Sequence, residues 1–242
     1  MGIESVDNGY RYRKIKGIIF DLDDTLYNEI DYVYSGFRKV AKYLEPVLKR
    51  GEEEIFYDLI DIFKLDKGNV FDKLIKKYNL ETNSEDIILK CIDIYRSHYP
   101  DIKLSAETEG LLHYLKNKNY KLGIITDGRP QGQKNKIKAL DLEKFVDYII
   151  ITDELGGVSF RKPHTLAYLK MKEYFNVEAE QIVCVADNPA KDFITPNKLG
   201  MLTVMVKNKK SIHPQKVDQE ECKPEIVIDR IEELIKILEW RS

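Results

Sequence analysis

The chain is poor in cysteine. Cys91, Cys184 and Cys222 are its only three, far apart in 242 residues. This excludes a disulfide framework and shows no zinc-ligand cluster. An excess of one charge is also missing: 39 basic residues face 41 acidic ones, for a formal net charge of -2. That balance gives no support to nucleic-acid or anionic-membrane binding. The lysines between Lys207 and Lys210 read as solvated surface. No apolar run approaches the roughly 20 residues of a membrane span. The stretch Met1 to Lys16 is polar and holds no signal-peptide core, so a cytoplasmic location is expected. Internal repeats and low-complexity tracts are absent.

What is present suits a soluble globular protein with a substantial core: 43% of residues are hydrophobic and 33% charged. Four short apolar runs end in polar residues: Ile18 to Asp21, Leu122 to Asp127, Tyr148 to Asp153 and Ile182 to Asp187. Near-continuous apolar runs fit strands buried on both faces of a parallel sheet. Each is followed by a helix-like pattern, which predicts an α/β fold with a doubly wound parallel sheet. Ligands of such sheets bind beyond the carboxyl ends of the strands, where this chain places its acids and hydroxyls. Leu202 to Val206 reads as a fifth strand and Ile226 to Ile228 as a short edge strand.

About a hundred residues separate the first two runs, too many for an ordinary crossover. Within them, Phe37, Val40, Leu44 and Leu48 recur at helical spacing. So do Ile55, Leu59, Ile62 and Phe63, then Phe71, Leu74, Ile75 and Tyr78, then Ile88, Cys91, Ile92 and Tyr95. Breaks are expected near Pro46, Gly51, Lys67-Gly68 and the stretch from Asn79 to Ser84. The reading is an inserted α-helical cap over 30–100, within a core made of 1–29 and 101–242. Further helices are expected at Leu104 to Asn117, Lys134 to Leu140, His164 to Phe175, Pro189 to Leu199 and Ile231 to Trp240. Pro163 and Pro189 sit where helix starts tolerate a missing N–H. The polar segment from Lys207 to Lys223 reads as a loop.

The richest segment is Ile18-Ile19-Phe20-Asp21-Leu22-Asp23-Asp24-Thr25-Leu26. Alternate strand residues point the same way, so Asp21 and Asp23 leave the sheet on one side, close enough to share a metal ion or a substrate. Two carboxylates that close repel each other, so the pair needs a cation or a use for the repulsion. Ile124-Ile125-Thr126-Asp127-Gly128 ends the second run in a hydroxyl. Arg161-Lys162-Pro163 puts a lysine before a proline. Val185-Ala186-Asp187-Asn188-Pro189-Ala190-Lys191-Asp192 ends the fourth run in two spaced acids. Each of the last three alone is more often structural: a strand-end cap, a loop or a helix start.

Together and in this order, the four motifs resemble those of the haloacid dehalogenase superfamily, whose members are mostly magnesium-dependent phosphatases. The resemblance covers the core and implies a Rossmann-like fold. It implies that Asp21 attacks phosphorus and forms an aspartyl-phosphate. Asp23 would protonate the leaving oxygen and then deprotonate the hydrolytic water. Thr126, with the backbone N–H groups after Asp21 and of Gly128, would hold phosphoryl oxygens, with Asp127 beside them. Lys162 would offset charge on the nucleophile and the transferring group. Mg²⁺ would be held by Asp21 and Asp187, by the Asp23 carbonyl, and by Asp192 directly or through water.

The resemblance also bears on the reaction. Dehalogenases and phosphonate-cleaving members lack an aspartate at the position of Asp23, and no pump signature follows Asp21. The implied activity is hydrolysis of a small-molecule phosphate ester, such as a sugar phosphate or nucleotide, because the cap placement resembles the helical-cap (C1-type) subclass acting on such compounds. A phosphomutase sharing the core motifs is the alternative enzyme. A non-catalytic binding module retaining the fold is the alternative outside catalysis. Two positions depart from the commonest pattern: Ala186 stands where Gly is frequent, and Asp24 follows the second aspartate as a turn or hinge residue. Asp153 and Glu154, the scattered histidines, and Cys184 read as structural, and the cap tyrosines as core or interface.

Overall fold

The computed structural model describes residues 14–80, 82–212, 215 and 219–240. Most of the expectation for Met1 to Lys16 (as far as Arg13), that for His213, and part of that for the segment from Lys207 to Lys223 fall outside them. Among the described residues six parallel strands form one sheet: β1 (Gly17–Phe20), β2 (Lys121–Thr126), β3 (Tyr148–Ile151), β4 (Ile182–Ala186), β5 (Leu202–Val206) and β6 (Ile226–Ile228). Their order is β3-β2-β1-β4-β5-β6, so the direction of winding reverses at β1 and β4, where a crevice opens beyond the strand ends. Phe20 pairs with Ile124 on one side and Val185 on the other. Asp21 extends the ladder by one bond, from its N–H to the Val185 carbonyl at 2.9 Å. This register sets Asp21, Thr126 and Asp187 at one edge of the sheet.

Alternation along the strands feeds two cores. Ile18 and Phe20 join a cluster with Leu111, Leu112 and Leu115 of α5 (Ala106–Asn117), Ile137 of α6 (Pro130–Ala139), and Leu234 and Leu238 of α9 (Leu234–Trp240). Ile19 points the other way, into a cluster with Ala167, Tyr168, Met171 and Phe175 of α7 (Leu166–Phe175). Gly123 of β2 lets α7 approach closely, since a Cβ there would collide with Met171 Sδ. The α/β, Rossmann-like core expected from the alternating runs is therefore present.

Four helices lie between β1 and α5: α1 (Glu29–Leu48), α2 (Glu52–Leu65), α3 (Val70–Lys77) and α4 (Ser84–Ser97). They share a separate hydrophobic cluster that includes Phe37, Val40, Leu44, Ile55, Leu59, Phe71, Leu74 and Cys91. Glutamates 52, 53 and 54 open α2, where the positive end of the helix dipole favours them. Pro46 does not break α1 as expected. It lies in the last turn, and the helix runs on to Leu48 before Lys49 turns left-handed. A proline so near a helix end removes only one terminal bond.

Several helices are shorter or shifted. α7 starts at Leu166, after a cis Lys162-Pro163 bond and a His164 Nδ1 that accepts from the Leu166 N–H at 3.2 Å. α8 (Ile194–Leu199) starts five residues after Pro189, because Asn188 to Asp192 form a turn instead. Pro130, not singled out in the sequence, occupies the first turn of α6.

Candidate functional site

A cavity of about 340 Å³ opens at the carboxyl ends of β1, β2 and β4. It is lined by Asp21, Asp23, Glu29, Thr126, Asp127, Arg161, Lys162, Asp187, Asn188 and Lys191. Residues from all four sequence motifs thus meet in one place. Gly128 and Asp192 lie outside the lining.

Asp21 is buried, and its Oδ1 accepts from Lys162 Nζ, while Thr25 Oγ1 donates to Oδ2 at 3.4 Å. Lys162 also reaches Asp192 Oδ1 at 2.7 Å, with its side chain only 2% exposed. That second contact is an ion pair without aligned hydrogen-bond geometry. The other Asp192 oxygen accepts from the Asn188 N–H at 3.1 Å, closing the turn after β4. Asp192 therefore braces Lys162 and the turn. Burial works against the Lys162 charge, but Asp192, Asp21 and Asp127 hold its pKa well above the ordinary lysine value.

The acids at the centre are not fully compensated. Burial and repulsion from Asp192 and Asp23 push the Asp21 carboxyl up to about 6, despite the opposing charges of Lys162 and Lys191. Burial, then repulsion from Asp21, Asp192 and Asp24, pushes Asp187 up to about 8. Two hard oxygen donors whose ionisation is opposed by burial and acidic neighbours are the chemistry a divalent cation neutralises. Among the described residues no cluster of three or more His, Cys, Asp or Glu is arranged for a metal. Mg²⁺ does not require one, because it is usually held by one or two carboxylates and keeps several waters. Asp21 and Asp187 fit that donor set.

Asp23 sits in a cage that the sequence did not disclose. Its Oδ1 accepts from Tyr27 Oη at 2.5 Å and from Lys136 Nζ at 2.7 Å, and its Oδ2 accepts from Gln133 Nε2 at 2.8 Å. Burial raises its pKa, but the Lys136 charge and these three hydrogen bonds outweigh it and hold the carboxyl below the usual range. Lys136 is itself buried and lies over the Tyr32 ring, 4.2 Å from the centroid. Gln133 Nε2 also approaches Thr126 Oγ1 at 2.5 Å, fixing that hydroxyl at the strand end.

Asp127 is a hub. Thr152 Oγ1 donates to its Oδ1 at 2.8 Å, the Lys162 N–H at 3.0 Å, and Lys191 Nζ reaches Oδ2 at 3.1 Å. Its carboxylate therefore orders the Lys162 loop, and any contact with an anion from this segment falls to backbone N–H groups. Gly128 follows with φ at 138°, a conformation L side chains rarely adopt. Asp24 is buried with φ at 57°, and its oxygens accept from the N–H groups of Glu29 at 2.8 Å and Ile212 at 3.0 Å. It ties α1 to the loop after β5. Asp153 holds Arg161 through two bonds, and Cys184 is buried against Met201.

Residues 18–206 match the family described as haloacid dehalogenase-like hydrolase. The chain is 29% identical over 236 residues to a glyceraldehyde 3-phosphate phosphatase of Pyrococcus furiosus, covering 94% of each chain. It is 33% identical to the glyceraldehyde 3-phosphate phosphatase of Methanocaldococcus jannaschii, covering 79% of this chain and 85% of that one. The pyrophosphatase PpaX of Bacillus mycoides is 27% identical, over 93% of this chain and 97% of its own. Among solved structures, a HAD phosphatase from Thermococcus onnurineus superposes with a TM-score of 0.58 at 23% identity, over 93% and 98% of the two chains. A 2-haloacid dehalogenase from Pseudomonas syringae gives 0.62 at 19% identity, over 94% and 100%. Structures of different chemistry share the fold, so the fold alone does not choose the reaction. The chain belongs to the haloacid dehalogenase-like hydrolase family.

Proposed function

We propose that the protein is a Mg²⁺-dependent phosphatase of a small phosphorylated metabolite. The observation that carries this reading is the meeting of Asp21, Asp23, Thr126, Lys162 and Asp187 around one cavity, with burial and acidic neighbours opposing the charges of Asp21 and Asp187. Asp21 is the nucleophile, and Lys162 holds its carboxylate in place. Thr126 and the backbone N–H groups of Leu22 and Gly128 bind phosphoryl oxygens. The bond from phosphorus to the ester oxygen breaks as that from Asp21 to phosphorus forms. Asp23, when protonated, supplies the proton to the departing oxygen, and when ionised takes one from the water that attacks the aspartyl-phosphate. The Lys136, Tyr27 and Gln133 cage favours the ionised form in the ligand-free protein. Mg²⁺, held by Asp21, Asp187 and the Asp23 carbonyl, would supply charge neutralisation for nucleophile and phosphoryl group.

The four helices α1 to α4 form the cap, and residues 30–100 mark its extent. Glu29 lines the cavity where α1 begins, and Asn135 of α6 donates to the carbonyls of Ser97 and His98, both at 3.0 Å, where α4 ends. A cap seated there excludes solvent and limits substrate size. The archaeal relatives are named glyceraldehyde 3-phosphate phosphatases, which makes a three-carbon phosphate the first substrate to test. The three cysteines are free and buried, which suits the reducing cytoplasm. No helix among the described residues is long and apolar enough to cross a membrane.

The test is phosphate release from triose phosphates, sugar phosphates, nucleotides, pyrophosphate and an aryl phosphate, with Mg²⁺ and with EDTA. Mg²⁺-dependent turnover of at least one ester is expected. No release from any of them with Mg²⁺ present would remove the reading.

A further inference from the structure

The cavity carries three cations, and they are not equivalent. Lys162 is locked between Asp21 and Asp192. Arg161 is held by Asp153 through bonds of 2.7 and 2.8 Å. The Lys191 ammonium has a single contact among the described residues, 3.1 Å from Asp127 Oδ2, and 34% of its side chain is exposed. Its root is nevertheless fixed. The Asn188 carbonyl accepts from the N–H groups of Lys191 at 3.3 Å and Asp192 at 3.0 Å. Asn188 Oδ1 accepts from the Ala190 N–H at 3.1 Å, so the turn projects Lys191 into the cavity.

Asp127 does not depend on this lysine alone. Thr152 Oγ1 and the Lys162 N–H both donate to its other oxygen, at 2.8 and 3.0 Å. Full departure of the ammonium would leave Oδ2 without a partner among the described residues, so the ammonium must stay within reach of Asp127. A lysine carries three rotatable donors on a flexible stem, so it can keep Asp127 and still reach a second oxygen. A phosphate ester brings its negative charge to this place, beside acids that already repel one another.

We propose that Lys191 is a substrate-binding residue that reaches from Asp127 to a non-bridging phosphoryl oxygen, keeping its bond to Asp127, when the ester enters. The inference rests on the phosphatase reading above and extends its anion site beyond Thr126 and Lys162. The exposed length of Lys191 and its single ion pair distinguish it from Lys162, which two acids hold, and from Arg161, which Asp153 holds through two bonds.

The experiment is calorimetric binding of inorganic phosphate to the Mg²⁺-loaded protein, alongside KM and kcat for the best ester. Wild type is compared with Lys191→Ala, Lys191→Gln and Lys191→Arg. Ala and Gln should weaken phosphate binding and raise KM by about ten- to a hundred-fold, the size of one lost charge-assisted hydrogen bond. Their kcat should fall less, and Arg should recover most of the binding. Thermal stability should stay near wild type, because the turn's backbone bonds do not use the ammonium. If the Ala variant fails to fold, Gln carries the comparison. Phosphate affinity within about two-fold of wild type in the neutral variants, an Arg variant as weak as Ala, or no phosphate binding by wild type would overturn the proposal. Failure of the phosphatase reading is seen separately, as a wild type that binds phosphate and hydrolyses no ester.

Discussion

Stripping divalent cations from the protein should make its stability fall as pH rises from about 6 to about 8, and adding Mg²⁺ should reverse most of that fall. The cause lies at the strand ends. Asp187 has a folded pKa of about 8, against an ordinary value of 3.8, because burial and its acidic neighbours oppose its charge. A carboxyl raised on folding favours the fold while protonated, so its contribution is intact below the ordinary carboxylate range and is lost as pH climbs through the folded value. Between those limits the folded state keeps a proton that the unfolded state has released. One such group changes stability by about 1.4 kcal/mol per pH unit, so two units amount to about 3 kcal/mol. Asp21, raised only to about 6, has spent most of its effect below that interval. For a chain of this length the loss corresponds to a fall in Tm of about 6–12 °C.

The assay is thermal unfolding by circular dichroism at both pH values, in EDTA and in saturating Mg²⁺. Asp187→Asn supplies the control, since other groups also titrate in this range. The difference between wild type and variant in EDTA isolates the carboxylate. A wild-type Tm that does not change between the two pH values in EDTA, or that falls as far with Mg²⁺ as without, would refute the claim that unmatched acids build the cation site.

Three other outcomes follow from the geometry. Lys136→Met leaves Asp23 as a buried, weakly matched anion and should destabilise the protein by about 3–5 kcal/mol, measured by urea unfolding, with much of the loss recovered when Asp23→Asn is added. Gly128→Ala forces a side chain into a φ of 138° and within 3.3 Å of Gln133, so phosphate binding should weaken and stability drop by about 1–3 kcal/mol, read by calorimetry and Tm. Leu44→Ala or Leu59→Ala should empty space in the helical cluster between β1 and α5 and cost about 2–5 kcal/mol of stability.

Much of this was legible in the chain because its signals are local or periodic. Ile18 to Phe20 and Ile182 to Ala186 read as strands from their own residues, and parallel pairing then carries Asp21 and Asp187 to the same edge. The four helices between β1 and α5 were legible through apolar residues at helical spacing. The Asp23 cage did not, because its partners lie in a polar stretch, Pro130–Ala139, that looks like an exposed helix. Lys136 is buried there only because a carboxylate 113 residues away receives it. Long-range charge pairing leaves no periodic trace in sequence. The same limit applies to the ion pair of Asp192 with Lys162, which the spacing of the acids did not disclose. Helix starts were also misjudged at Pro163 and Pro189, where prolines stand in loop and turn segments ahead of the first helical residue.

The most direct test of the account is to quench the Mg²⁺-loaded enzyme during turnover of a phosphate-labelled ester and map the label by peptide mass spectrometry. The account predicts covalent phosphate on the peptide that contains Asp21, and none in Asp21→Asn. Turnover with no label on that peptide, or release of phosphate by Asp21→Asn at the wild-type rate, would contradict it.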